Sequence, residues 1–228
     1  ARPSEVDVID TSDIFHIAGY LIVKSPIATD RWDVDSTKVV RWEWGGTMPE
    51  VKISYSIDGG VFTPIQENYG TPNDGKIANG SGVGGPGSES TYTWTVPDAI
   101  STNVVVRVAD PRDETAVYDD SPAFKIQGKF TILTPAVAFN DNGTADPADD
   151  FYEARWVTNE VREVSWLTNG TIPFVNLVYT KNNFVNEILM TGGTNYTNTP
   201  LNNDNGTPLD PGDDFTYYRF LWPVPNDR

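Results

Sequence analysis

The chain carries one pattern twice, and that repetition limits the folds open to it more than any other property. Val8-Ile9-Asp10-Thr11-Ser12-Asp13-Ile14-Phe15-His16-Ile17-Ala18-Gly19 returns 109 residues later as Val117-Tyr118-Asp119-Asp120-Ser121-Pro122-Ala123-Phe124-Lys125-Ile126-Gln127-Gly128. The shared frame is V-x-D-x-S-x-x-F-x-I-x-G. A strand-like run follows each copy and ends at Ser25-Pro26 or Thr134-Pro135. Gly46-Thr47-Met48-Pro49, with Val51, Ile53 and Tyr55 behind it, matches Gly170-Thr171-Ile172-Pro173 with Val175, Leu177 and Tyr179, at an offset of 124. Trp94-Thr95-Val96-Pro97-Asp98 matches Trp222-Pro223-Val224-Pro225-Asn226 at an offset of 128. The order is kept and the offset grows, as expected of a tandem repeat whose second copy carries insertions. The boundaries read as 19–127 and 128–228, with 1–18 as the terminal strand of a preceding copy. On this frame the second copy lacks its own last strand, and the chain is a slice cut out of phase with its domains.

The local patterns are those of strands. Val51-Lys52-Ile53-Ser54-Tyr55-Ser56 alternates apolar and polar residues, as a half-buried strand does. Asp58-Gly59-Gly60 then supplies the positive-φ residues of a tight hairpin, with Val61-Phe62 starting the return strand. Val40-Arg41-Trp42-Glu43-Trp44 puts both Trp on one face, and Val164-Ser165-Trp166 repeats the arrangement. Tyr92–Val96, Val104–Val108 and Tyr218–Trp222 read as further strands. No stretch shows clean helical periodicity. Seventeen Pro and 19 Gly punctuate these short runs. Each copy of about 100 residues suits a β-sandwich. The fold expected is all-β, as tandem immunoglobulin-like β-sandwich domains.

The residues Ile53–Gly60, Tyr92–Asp98, Val106–Asp110 and Asp119–Ile126 together resemble the tandem immunoglobulin-like repeats of large bacterial cell-surface proteins, S-layer proteins and adhesins among them. The resemblance covers most of 19–127. It thins over 128–228, where Asn182-Asn183 replaces Asp-Gly-Gly and the loops lengthen. It implies an extracellular, cell-surface, structural or adhesive array, and it brings no catalytic residues.

Composition narrows the chemistry. The 228 residues carry a net charge of −16, from 32 acids and 16 bases. That charge argues against nucleic acid as a partner and against a polybasic membrane-surface role. There is no apolar run long enough to span a membrane as a helix. With no Cys and a single His, thiol chemistry, Cys-ligated metals and His-rich metal sites are excluded. His16 lies in a strand-like run at the position held by Lys125 in the other copy, as a surface residue would. Nucleophile–base pairs are scarce. The acids sit in turns, where water keeps them ionised. No enzyme is expected.

The most pointed local feature is a pair of acidic loops. Asp141-Asn142-Gly143-Thr144-Ala145-Asp146-Pro147-Ala148-Asp149-Asp150-Phe151 and Asp204-Asn205-Gly206-Thr207-Pro208-Leu209-Asp210-Pro211-Gly212-Asp213-Asp214-Phe215 share D-N-G-T and D-P-x-D-D-F. Calcium takes six to eight oxygens from a flexible loop, and close carboxylates repel unless a cation neutralises them. Asp141, Asp146, Asp149, Asp150, Asp204, Asp210, Asp213 and Asp214 are therefore the expected Ca²⁺ ligands. The alternative is a pair of solvated acidic turns. The matching stretch of the first copy, Glu67 to Ser90, is rich in Gly and Ser and reads as a flexible loop.

Asp10 and Asp13, and Asp119 and Asp120 with Asp110, Asp113 and Glu114 nearby, flank the domain junctions. They read as local turn caps, with a junction cation as the alternative. Asn79, Asn142, Asn169, Asn195 and Asn205 stand in N-x-S/T triplets and are candidate glycosylation sites. Trp42, Trp44, Trp94, Trp166 and Trp222 fall in strand patterns and are expected in the core. Trp32 and Trp156, with Tyr152, Tyr196 and Tyr217, find no clear place and could be exposed.

The functional expectation is a structural segment of an S-layer or related surface protein, with sandwiches repeated along the chain, Ca²⁺ in acidic loops and lateral contacts building an array. Its partners would be copies of itself or neighbouring repeats of the same long chain. The alternative is an adhesin or carbohydrate-binding module of a secreted protein, with surface glycans as ligands. The open edge of the second copy is also expected to be covered, by Val6 to Ile17 of another molecule or otherwise.

Overall fold

The computed structural model describes residues 11–14, 17–65, 73–136, 138–140, 151–153, 156–181, 185–204, 212 and 214–226, with backbone alone for 138–140 and 151–153. Among these the chain is all-β and holds no helix. Contacts divide it into two compact units. One is 1–28, 39–93 and 103–124; the other is 29–38, 94–102 and 125–228.

Over 19–127 the strands are β1 (Tyr20–Ser25), β2 (Arg31–Asp33), β3 (Thr37–Thr47), β4 (Glu50–Ile57), β5 (Thr63–Pro64), β6 (Lys76–Ala78), β7 (Val83–Gly84), β8 (Glu89–Thr95), β9 (Ser101–Ala109), β10 (Tyr118–Asp120) and β11 (Phe124–Gln127). One sheet has the order β1-β3-β7, with β8 also on β3. The other has the order β2-β11-β9-β4-β5, with β6 on β4 and β10 on β9. Alternation decides what faces inward. Val40, Trp42 and Trp44 on β3, Val51 and Ile53 on β4, Val104, Val106 and Val108 on β9, and Phe124 and Ile126 on β11 are all buried. The turn after β4 uses positive φ at Asp58 and Gly59, as the sequence requires. The return strand starts two residues later than expected, at Thr63, and Val61 is exposed.

Over 128–228 the strands are β12 (Lys129–Thr134), β13 (Ala138–Asn140), β14 (Phe151–Glu153), β15 (Val161–Asn169), β16 (Phe174–Val175), β17 (Val178–Tyr179), β18 (Ile188–Leu189), β19 (Tyr196–Thr197), β20 (Leu201–Asn203) and β21 (Phe215–Pro223). A four-stranded sheet runs β12-β15-β21-β20, and β16-β19, β17-β18 and β13-β14 form three separate two-stranded pairs.

Register ties the two stretches together. Val23 pairs with Trp42 and Ser25 with Arg41 across a bulge. Ile132 pairs with Trp166 and Thr134 with Ser165 across a bulge at the same place. Val51 faces Ile77 as Val175 faces Tyr196. Tyr55 faces Thr63 as Tyr179 faces Ile188. Positive φ recurs at Asp35 and Asn159 and at Gly46 and Gly170. Asp35 N–H donates to Val96 O at 2.9 Å, and Asn159 N–H donates to Val224 O at 2.8 Å.

Two sequence expectations change. Trp32 is buried and packs edge-on against Trp94, with centroids 6.0 Å apart. Trp156 lies against Trp222, with centroids 5.8 Å apart and the rings tilted by 57°. Trp32 belongs to the core although it sits in a three-residue strand too short for alternation to reveal, and Trp156 is partly buried against the core cluster of the second stretch. The Gly/Ser-rich stretch is also ordered where described, in β6 and β7. A Cβ on Gly80 would come 2.2 Å from the Trp44 ring, and one on Gly84 would come 2.4 Å from it. The glycines are there so that backbone can lie flat on an indole. The offset of 124 puts Thr168 at Trp44's place in the second stretch, and no glycine-rich cover is needed there.

Candidate functional site

Most of the expected calcium ligands, Asp141, Asp146, Asp149, Asp150, Asp210 and Asp213, lie outside the described residues, as do Asn142 and Asn205. Asp214 accepts a long bond of 3.4 Å from Asn202 Nδ2. Asp204 follows directly on β20 and has a polar partner of its own. Among the described residues no three acidic or histidine side chains converge as a metal would require.

The junction acids of the first stretch are taken up by protein partners. Asp119 Oδ2 accepts from Val23 N–H at 2.7 Å, at the bulge of β1. Asp120 holds Arg107 by two bonds of 2.7 and 2.8 Å. The same guanidinium lies 4.0 Å from the Phe62 ring and 4.1 Å from the Tyr118 ring, so it is stacked as well as paired. Asp110 is gripped by Arg112 through Nε and Nη2, at 2.9 and 2.6 Å, and this pairing holds its carboxyl below the usual range although burial opposes it. Glu114 pairs with Lys52. Asp113 caps the turn to Ala116. The V-x-D-x-S-x-x-F-x-I frame is therefore a packing device. Val117, Phe124 and Ile126 are buried, Asp119 secures the bulge, and Ser121 Oγ accepts from Val106 N–H at 3.0 Å.

Asn79 sits at the centre of a small constellation that the sequence did not reveal. Trp42 Nε1 donates to its Oδ1 at 3.1 Å, and its Nδ2 donates to Met48 O at 2.9 Å. Asn198 does the same for Trp166 Nε1, at 3.1 Å, and for Ile172 O, at 2.8 Å. Even the backbone agrees, since Asn79 N–H reaches Pro49 O and Asn198 N–H reaches Pro173 O. The atom a glycan would occupy on Asn79 is thus already a donor inside the fold. The available signal was an Asn directly after a short alternating run, Ile77-Ala78-Asn79 and Tyr196-Thr197-Asn198. Of the other candidate acceptors, Asn169 is exposed and donates to Asp35 Oδ2 at 3.2 Å, and Asn195 is exposed in a positive-φ turn.

The feature of the second stretch that stands out among the described residues is an exposed apolar wall. Leu21 is 6% exposed, whereas Phe130, at the same register position, is 47% exposed; Ile132, the counterpart of half-buried Val23, is 58% exposed. The wall borders a groove of about 670 Å³ lined by Ile132, Trp156, Leu177, Tyr179, Met190 and Trp222. A smaller hollow of about 300 Å³ adjoins it, between Phe130, Trp166 and Phe174. Five Trp are buried and Trp156 and Trp222 are half-buried here. No helix among the described residues is long and apolar enough to cross a membrane. No family model matches the chain, and a comparison with curated protein sequences gives no match either.

Proposed function

We propose that this chain is a structural segment of an extracellular cell-surface assembly of the S-layer type, built from tandem immunoglobulin-like sandwich units at 19–127 and 128–228 that associate into an array, with Ca²⁺ held by the two acidic loops. The observation that carries the reading is the recurrence of one detailed constellation in both stretches. Indole, asparagine and carbonyl oxygen recur with bond lengths that agree within 0.1 Å. One residue, Gly128, joins the last strand of the first stretch to the first strand of the second. Contacts of that kind suit a protein whose task is to repeat a stiff module. The high negative charge supports a cation-dependent array, because divalent ions screen and bridge like-charged surfaces.

The test is calorimetric titration of the chain with Ca²⁺, with thermal melts, repeated on Asp146→Asn and Asp210→Asn, and with electron microscopy for ordered sheets. Binding, a raised melting temperature and ordered assembly that the substitutions abolish are the expected results. No heat and no shift in melting would remove the cation from the reading.

A further inference from the structure

We propose that Asn195 is the residue at which the folded chain accepts an N-linked glycan, and that the sugar lies over the uncharged, threonine-rich surface beside it. The inference goes beyond the array proposed above and rests on the extracellular part of that reading.

A folded chain takes a glycan at an N-x-S/T triplet only where the asparagine amide reaches solvent and the hydroxyl two residues on is free for the transferring enzyme to hold. Three of the triplets fall among the described residues, and the fold treats them differently. Asn79 gives its Nδ2 to Met48 O, and its Oδ1 accepts from the Trp42 indole. Asn169 is exposed, but its Nδ2 donates to Asp35 Oδ2 at 3.2 Å and the hydroxyl of its triplet, on Thr171, donates to Asp98. Asn195 is anchored by its backbone instead. Its N–H donates to Asn176 Oδ1 at 2.8 Å, in a turn where φ is 61°. Asn195 and Thr197 are both exposed, and among the described residues neither the Asn195 side chain nor the Thr197 hydroxyl has a hydrogen-bond partner.

Strand alternation explains the exposure. Tyr196 faces inward, its ring centroid 5.1 Å from that of Phe220, and Asn198 is buried against Trp166. Asn195 and Thr197 therefore point outward together. Ile77 faces Val51 as Tyr196 faces Val175, so Lys76 holds the place of Asn195 in the first stretch, and its side chain is 40% exposed. That place accommodates a long group directed to solvent. Residues 188–203 carry no charged side chain, in a chain of net charge −16. Beside Asn195 lies a hollow of about 410 Å³ bordered by Thr191, Thr194, Thr197 and Thr199. Threonine hydroxyls both donate and accept, which suits the hydroxyls of a neutral sugar.

In the transfer, Asn195 Nδ2 bonds to C1 of a sugar carried on a polyprenyl diphosphate. The C1–O bond breaks, the polyprenyl diphosphate leaves with the electron pair, and one amide proton passes to a base of the transferring enzyme.

The experiment incubates the purified, folded chain with a polyprenyl-diphosphate-linked N-acetylglucosamine disaccharide and an oligosaccharyltransferase first shown to act on a synthetic peptide of residues 190–200. Peptide mass mapping then locates the sugar. One disaccharide should appear at Asn195. Transfer at Asn169 should be about tenfold slower or worse, because the charged hydrogen bond that holds the Thr171 hydroxyl must first break. Asn79 should stay bare. Thr197→Ala should abolish transfer at Asn195, and Thr197→Ser should keep it. A peptide of residues 165–175 should accept as the 190–200 peptide does, because no fold is left to withhold its hydroxyl. A folded chain bare at Asn195, equal transfer at Asn169 or Asn79, transfer that survives Thr197→Ala, or an inert 165–175 peptide would each overturn the proposal. None of these outcomes touches the calcium titration or the assembly it reports, so the two readings fail separately.

Discussion

Trp166 donates its indole N–H to Asn198 Oδ1 at 3.1 Å, and 124 residues earlier Trp42 makes the same bond to Asn79 at the same length. Each asparagine spends its other end on a carbonyl oxygen near the start of the following strand. The amide is thus a bracket between a core indole and a turn. It satisfies two buried polar groups at once, in a place where either left alone would be costly.

Asn198→Ala should therefore destabilise the fold by about 1–3 kcal/mol, because Trp166 Nε1 and Ile172 O both lose their partner. Asn79→Ala should cost a similar amount. Replacing the indole and the amide together should cost less than the sum of the single changes, since the second removal no longer strands a partner. Urea denaturation of the single and double variants measures this. Purely additive losses would mean that the bond does not couple the two side chains.

Two glycines at matched positions should respond differently to alanine. A Cβ on Gly19 would stand 2.6 Å from the backbone oxygen of Gly45, whereas one on Gly128 would meet the Ile172 Cδ1 tip at 2.5 Å and the Asn169 oxygen at 3.0 Å. Backbone cannot step aside, but an isoleucine tip can rotate. Gly19→Ala should cost about 2–3 kcal/mol and Gly128→Ala about 1. Thermal melts of the two variants should differ in that order.

The all-β class, the hairpin at Asp58-Gly59 and the burial of Val40, Trp42 and Trp44 were legible in the sequence because alternation and turn chemistry act over neighbouring residues. The matched frames were legible because they recur. What escaped depends on approach in space. Nothing local says that Gly80 and Gly84 must lie against Trp44, so their stretch resembles a flexible linker. Trp32 sits in a run of three residues, too short to show a period, and its partner Trp94 is 62 positions away. Asp119 and Asp120 look alike in sequence, yet one serves a backbone N–H across the fold and the other an arginine. The exposure of Phe130 and Ile132, against buried Leu21 and half-buried Val23 at the same register positions, was not legible, because it depends on what approaches the strand in space.

Acid should loosen the loop that follows β9. Asp110 has its carboxyl lowered by the Arg112 guanidinium. A group whose value is lower folded than unfolded stabilises the fold above the unfolded value of about 3.9, and that stabilisation is lost as the pH falls through the lowered folded value. The Arg112 side chain is 60% exposed, so screening keeps the effect modest. Asp110→Asn should flatten the acid limb of a stability–pH curve and leave the neutral region nearly level. A variant curve parallel to the parent's below pH 4 would place the acid sensitivity elsewhere.

Asp98, just after β8, anchors the turn that follows β15. Its carboxylate accepts from Thr171 N–H at 3.0 and 2.9 Å and from the Thr171 hydroxyl, beside Gly170 at φ 89°. Both partners are exposed, so Asp98→Ala should cost only about 1 kcal/mol in global stability. The local effect should be larger, because Gly170 is packed between Val34, Ile100 and this same carboxylate. Amide exchange at Thr171 should accelerate several-fold in Asp98→Ala. Thr171→Ala keeps the N–H and should show a smaller change. Equal acceleration in the two variants would assign the anchoring to the hydroxyl and remove the backbone bond from the account.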